Sequence, residues 1–287
     1  MTPKIITTTP TKPPRMIIYG EHKIGKSTFA KGCPAPIFIQ TEDGLESLGV
    51  QAFEKCNSYQ DVISCLEWLI TQPHDFKTMV LDSLDWTEKL IWEKICSDNH
   101  WPQIGDGPYG AGYKLALNYW REIIKHLDVL SGQRKMMICL VAHAKISKFE
   151  DPEQENYDRY SIDLHDKSAN LLCEYVDIIG FANEETIVKT KKEGFAESKK
   201  AKSTGRRVLN LSKKAAFEAG NRYNLPEKLP FDWKSLQTAI SEYFANLKKG
   251  SLTALIDEID ADKLRQNVKE MIETGGIMPS DVVNKNK

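Results

Sequence analysis

Residues Gly20-Glu21-His22-Lys23-Ile24-Gly25-Lys26-Ser27 form an uninterrupted G-x-x-x-x-G-K-S pattern, the phosphate-loop signature. It follows the apolar run Met16-Ile17-Ile18-Tyr19 and precedes the helix-compatible Thr28-Phe29-Ala30-Lys31. A strand, a glycine loop and a helix in that order are the context in which the pattern carries meaning. Gly20 and Gly25 can adopt backbone angles closed to other residues, so successive N–H groups can curl around a phosphate. The helix start adds further unpaired donors. Gly20 to Thr28 are therefore the candidate nucleotide-binding segment. Lys26 is placed to reach the β- and γ-phosphates, and the Ser27 hydroxyl to ligate Mg²⁺.

With 287 residues the chain can hold one large α/β domain and a small appendage. A net charge of -1 gives no global attraction to nucleic acid or membrane, so such binding must come from local patches. No apolar run approaches the roughly 20 residues of a membrane span. The Pro/Thr-rich start, with Pro3, Pro10, Pro13 and Pro14, lacks the apolar centre of a secretory signal and reads as a flexible lead. Cys33, Cys56, Cys65, Cys96, Cys139 and Cys173 are scattered with no C-x-x-C pair, which favours small reduced core residues over disulfides or zinc ligands.

Apolar runs at 36–40, 78–82, 135–143 and 175–181 alternate with helical periodicity at 58–72, 84–97 and 113–130. That alternation predicts an α/β fold with a mostly parallel central sheet flanked by helices. Residues 100–112 hold four glycines and two prolines and read as a loop. Residues 146–166 are polar and acidic and are expected to be a mobile loop. A hairpin is expected between 186–190 and 207–211, around a Lys-rich tip. From 233 onward the pattern is purely helical, with Lys248-Lys249-Gly250 marking a break between two helices. The predicted organisation is a lead at 1–14, a core at 15–232 carrying a basic hairpin near 187–211, and a helical extension at 233–287.

Three further residues extend the phosphate-loop reading. Asp82 ends the strand Thr78-Met79-Val80-Leu81-Asp82, where ligands collect in parallel sheets, and its carboxylate can hold Mg²⁺. Glu42 follows the strand Phe38-Ile39-Gln40-Thr41 and is the candidate to polarise the attacking water, with Asp43 as the fallback. His143 closes the longest apolar strand and can sense the γ-phosphate. A helix-capping carboxylate and a plain strand-end histidine are the structural alternatives for Glu42 and His143.

Taken together, these residues resemble the RecA-like recombinase core over about residues 15–217. The resemblance implies ATP and Mg²⁺ as cofactors, Glu42, Lys26 and His143 as catalytic residues, and assembly into a ring or short filament with ATP between subunits. It places the first DNA loop at Gly105-Asp106-Gly107-Pro108-Tyr109-Gly110. Lys213 and Lys214 fall on the strand that supplies trans-acting lysines. The Pro-Pro lead, the Tyr109 loop, Tyr157-Asp158-Arg159-Tyr160 and Asn221-Arg222-Tyr223-Asn224-Leu225-Pro226 look more closely like the phage-encoded minimal RecA-type ATPases, a group that includes single-strand annealing proteins. Gly220 stands where that ending often has a lysine, which leaves Arg222 as the trans-acting candidate there. Neither an N-terminal oligomerisation helix nor a large DNA-binding accessory domain is recognisable, so strand exchange in long filaments is not implied.

Between 187 and 222 the chain carries eleven Lys and Arg against three Glu, a concentration suited to phosphate contacts. Lys199, Lys200, Lys202, Arg206 and Arg207 are the DNA-binding candidates, with Phe195, Trp101 and Tyr109 as stacking candidates. Residues 148–167, by contrast, carry seven acidic against three basic side chains and would repel a phosphate backbone. The expected function is nucleotide-dependent single-stranded DNA binding with ATP hydrolysis in phage recombination or replication, inside the host cytoplasm. A single-strand binding protein is a partner consistent with that role, and no membrane is involved. The competing expectation is an NTPase switch or assembly factor acting on a protein without nucleic acid.

Overall fold

The computed structural model describes residues 12–150, 155–193 and 196–257, with 187–203 and 248–257 described by backbone alone. The lead up to residue 11, Phe195 and the segment beyond 257 lie outside it. Five strands form the parallel centre: β1 (Arg15–Gly20), β2 (Pro36–Gln40), β3 (Thr78–Asp82), β4 (Met137–Phe149) and β6 (Ile178–Glu193). Their order across the sheet is β2-β3-β4-β1-β6. Antiparallel β7 (Ala196–Asn210) and the short β9 (Lys228–Pro230) extend the β6 edge. The antiparallel β5 (Tyr157–Ile162) pairs with β4, and the two-residue β8 (Gly220–Asn221) with β6. This is the α/β architecture that the RecA-like resemblance implies.

Sequence explains the layering. Met16 to Tyr19, Ile37 to Ile39, Met79 to Leu81 and Ile138 to Ala142 are buried without alternation, as strands covered on both faces require. The covering helices are α1 (Lys26–Lys31), α2 (Tyr59–Thr71), α3 (Leu84–Asn99), α4 (Ala111–Gly132) and α5 (Asp166–Tyr175). In α4, Ala116, Trp120, Ile123, Leu127 and Leu130 recur at three- and four-residue spacing and are all buried. A capping pair starts α2: the Asp61 N–H donates to Ser58 Oγ at 3.1 Å, and the Asn57 N–H to Asp61 Oδ2 at 2.9 Å.

Two compact units divide the chain, residues 1–239 and 240–287. The C-terminal helix α6 (Trp233–Asp257) continues through Lys248-Lys249-Gly250 without the expected break. One interior glycine costs a helix only about 1 kcal/mol, too little to interrupt it. Among the described residues no helix is long and apolar enough to cross a membrane.

Two further expectations are corrected. The segment predicted as a mobile loop is a hairpin: β4 runs on to Phe149 and pairs with β5 from Ala144↔Ile162 to Phe149↔Tyr157. Cross-strand pairs hold it, with Ser147 Oγ and Ser161 Oγ 2.9 Å apart and the Phe149 and Tyr157 rings at 5.4 Å. High polarity concealed the two-residue period of a strand that extends past the sheet. The basic hairpin forms, but with longer strands and a different register, pairing Glu184 with Arg207 and Thr186 with Ser203 across an irregularity. A positive φ of 73° at Gly205 belongs to that bulge.

Candidate nucleotide-binding site

Strand register assembles the site. Gly20 lies beside His143 on β4 and Ala182 on β6, while Gln40 lies beside Asp82, and Asp82 beside Val141. The phosphate loop, the residues after β2, the end of β3 and His143 therefore share the C-terminal edge of the parallel sheet, where such sheets bind ligands. They line a cleft of about 420 Å³ with His22, Lys23, Gly25 to Thr28, Glu42, Asp43, Asp82 and His143 among its walls.

The loop itself requires its glycines. A Cβ on Gly20 would lie 2.3 Å from the Ala182 carbonyl oxygen, and Gly25 has φ 106°. The backbone N–H groups of Lys23, Gly25, Lys26 and Ser27 carry no hydrogen bond among the described residues, so four donors remain for an anion. Lys26 is 6% exposed and its Nζ donates to the Gly20 and Glu21 carbonyl oxygens at 3.0 and 2.9 Å. Burial pulls its pKa down, against the opposing pull of Asp82, Glu42 and Asp85. The ammonium thus rests on the loop's own carbonyls, which a phosphate oxygen can replace.

Ser27 Oγ donates to Asp82 Oδ2 at 2.6 Å. Asp82 is 4% exposed, and desolvation raises its pKa to about 6 despite the Ser27 bond. A hydroxyl and a carboxylate are hard oxygen donors suited to Mg²⁺, which characteristically takes one or two protein oxygens together with substrate phosphates. Among the described residues there is no cluster of three or more His, Cys, Asp or Glu that could hold a metal ion.

On the opposite wall, Glu42 Oε1 lies 4.0 Å from His143 Nδ1 and is one-quarter exposed. Asp43 also lines the cleft, and its carboxylate pairs with Lys55 Nζ at 2.7 Å. Thr41 anchors this wall, its hydroxyl donating to the Ser83 carbonyl at 3.0 Å and accepting the Ser83 N–H at 2.9 Å. His143 Nδ1 sits 3.0 Å from Asp85 Oδ2, and the His143 backbone N–H donates to Asp85 Oδ1 at 3.1 Å. Burial alone would raise the Asp85 pKa, but the bonds and charge of His143 outweigh it and hold Asp85 below the usual carboxylate range. The His22 ring stacks on His143 at 4.0 Å. Asp85 is the residue of this wall that sequence reading missed. Its signal was an acidic residue in the first turn of the helix that follows Asp82.

The remaining candidates scatter. Tyr109 is 99% exposed, whereas Trp101 packs against the core and over Gly107. Arg222 is tied to Asp177 Oδ1 at 3.1 Å and the Glu174 carbonyl at 2.8 Å, near Arg15 at the N-terminal edge of the sheet. Lys214 pairs loosely with Glu227 at 3.5 Å, and Lys213 is exposed. The backbones of Lys199, Lys200 and Lys202 lie on β7, opposite Thr190, Lys189 and Ile187. Arg206 and Arg207 are exposed on the same strand, and Arg207 lies beside the phosphate loop, a Cβ on Gly25 meeting its Nη1 at 3.1 Å.

Comparison with known proteins places this arrangement among relatives. The family described as AAA domain matches residues 12–223. The SPbeta prophage-derived uncharacterized protein YorG of Bacillus subtilis (strain 168) is 21% identical over 282 residues, covering 88% of this chain and 85% of that protein. The crystal structure of the RadB recombinase overlaps 76% of this chain and 86% of its own, at 12% identity and a TM-score of 0.43.

Proposed function

The chain belongs to the AAA domain family, and from that premise we propose that it is an ATPase that binds single-stranded DNA according to its nucleotide state. The observation that carries the reading is the convergence of Ser27, Asp82, Glu42 and His143 on the cleft that contains buried Lys26. In this reading the free N–H groups of the loop and Lys26 Nζ hold the β- and γ-phosphates. Ser27 and Asp82 hold Mg²⁺, which supplies positive charge to the phosphate oxygens when bound. Glu42 orients a water on the far side of the γ-phosphate and takes its proton. The water oxygen forms the new P–O bond as the β–γ bridging bond breaks, releasing ADP and inorganic phosphate.

His143 links this chemistry to the rest of the chain, because it starts the stretch of β4 that leaves the sheet and pairs with β5. Tyr160 on β5 donates its hydroxyl to Glu21 Oε1 in the phosphate loop at 3.2 Å, a second connection to the same hairpin. The DNA surface is the β6–β7 hairpin, where Lys189 and Lys200 occupy directly opposite register positions. The concentration of Lys and Arg along this stretch of sequence supports a phosphate backbone as the ligand. The prophage origin of the 21%-identical relative supports a phage context, and ring or filament assembly completes the proposal.

The test is ATP turnover measured with single-stranded DNA, with RNA and with no polymer, alongside anisotropy of a labelled oligonucleotide with and without ATP. Stimulation by DNA and nucleotide-dependent, salt-sensitive binding are expected. Turnover that responds only to a protein partner would favour an assembly switch instead. Lys26→Ala should abolish turnover under either reading and serves as the control.

A further inference from the structure

Beside the phosphate cleft lies a second cavity of about 450 Å³, between α1 and the segment 231–237. Its walls include Gly25 and Thr28, which also line the phosphate cleft, so one ligand can extend through both. Phe29 and Phe231 stack at 5.0 Å along its apolar side, with Trp233 edge-on to Phe29 at 6.1 Å. The volume falls within the range typical of small-ligand sites. Arg207 brings positive charge to the boundary between the two cavities from outside the loop, its Nη1 lying 3.1 Å from where Gly25 would carry a Cβ, and Lys234 lines the second cavity as well.

Three observations separate Arg207 from the rest of the basic hairpin. Arg206 and Arg207 reach different surroundings although adjacent in sequence. Arg206 faces Glu185, whose pKa falls through its bond with Lys228 and, to a lesser extent, the charge of Arg206. The backbone of Arg207 is fixed: its carbonyl accepts the Phe231 N–H at 3.1 Å, and the next residue, Val208, pairs with Pro230 on β9. Finally, the guanidinium makes no hydrogen bond or ion pair among the described residues. Asp232, a nearby carboxylate, instead caps α6 through the Ser235 N–H and hydroxyl, each at 2.8 Å. An arginine held in place beside an anion-binding loop without a carboxylate partner is poised for the anion.

We infer that Arg207 is a nucleotide-binding residue acting within its own subunit, donating to the phosphate chain of a nucleoside triphosphate whose nucleoside half occupies the cavity between α1 and Trp233. This rests on the nucleotide-binding reading of the phosphate loop and moves Arg207 from the DNA surface to the nucleotide. It also gives β7 a physical tie to the ligand, since the strand that carries Lys199, Lys200 and Lys202 runs directly into Arg207.

The experiment compares wild type, Arg207→Ala and Arg207→Lys by titration with ATP, ADP and adenosine, and separately with a labelled oligonucleotide in the absence of nucleotide. Arg207→Ala should weaken ATP about tenfold or more, the scale of one charge-assisted hydrogen bond, with Arg207→Lys between it and wild type. ADP should lose affinity as well and adenosine should not, while oligonucleotide affinity and thermal midpoint stay at the wild-type values. ATP affinity within twofold of wild type in Arg207→Ala, or a loss confined to the oligonucleotide, would overturn the assignment. Absence of ATP binding by the wild type would instead bring down the nucleotide reading itself.

Discussion

The two flanks of the phosphate loop differ in charge and in construction. Toward β2, β3 and β4 stand Glu42, Asp82, Asp85 and His143, three carboxylates and an imidazole, most of them buried. Toward β7 and α1 stand Arg207, Lys234 and the rings of Phe29, Phe231 and Trp233. A triphosphate is repelled by the first flank unless cations accompany it, and is attracted and shielded from water by the second. The loop thus separates two tasks. In the proposed function, one wall manages metal, water and proton, and the other holds the substrate.

Glu42→Gln probes this division most severely. Turnover should fall roughly 10²- to 10⁴-fold, the usual contribution of a positioned base, while ATP affinity persists. A variant that still turns over at the wild-type rate would remove Glu42 from the reacting wall. Asp85→Asn should have the next largest effect, because it frees a ring on which geometry depends. A loss of up to about 10²-fold in kcat with KM nearly constant is expected, and an unchanged pH–rate profile would argue against a positioning role.

Asp82 tests the same wall through pH. Its folded pKa of about 6 exceeds the ordinary carboxylate value, so the folded chain holds more protons than the unfolded chain between about pH 4 and 6. Stability without ligand therefore falls as pH rises through that window, and the full deficit applies at neutral pH. Asp82→Asn should raise the ligand-free thermal midpoint at pH 7 by several degrees, at roughly 2–4 °C per kcal/mol, and leave it nearly unchanged at pH 4. The same variant should lose the Mg²⁺ dependence of ATP binding, and in wild type that dependence should fade below about pH 6. A midpoint that fails to rise would mean burial of this carboxylate costs the fold nothing.

The smallest effects belong to the hairpin beyond the second flank. Replacing Lys199, Lys200 and Lys202 by Gln should lower the slope of log affinity against log salt for single-stranded DNA by about 0.7 for each phosphate no longer neutralised. ATP affinity should not change, in contrast to Arg207→Ala. If the triple variant and Arg207→Ala behave alike in both assays, the division between the hairpin and the second flank disappears.

Much of the parallel core was legible because buried parallel strands are continuous apolar runs, as 36–40, 78–82 and 137–142 are. The β4–β5 hairpin was not, because its polar side chains carry no burial signal and its stability comes from cross-strand partners such as Ser147 and Ser161. Continuity of α6 through Gly250 was hidden for the opposite reason: a glycine signals a stop that a long helix can absorb.

Within the site the same division holds. A contiguous motif with its own backbone geometry marks the phosphate loop, and a strand-ending carboxylate points to Asp82, since both signals are local. Both Glu42 and Asp43 line the cleft, and that Lys55 pairs with Asp43 whereas His143 approaches Glu42 is visible only in the fold. Asp85 meets His143 across 58 residues because β4 lies beside β3, and Arg207 reaches Gly25 because β7 follows β6 along the sheet. The chain's local patterns place the residues that carry chemistry at their strand ends. Which of those residues meet depends on the order and register of the strands, set by the apolar faces that pack together.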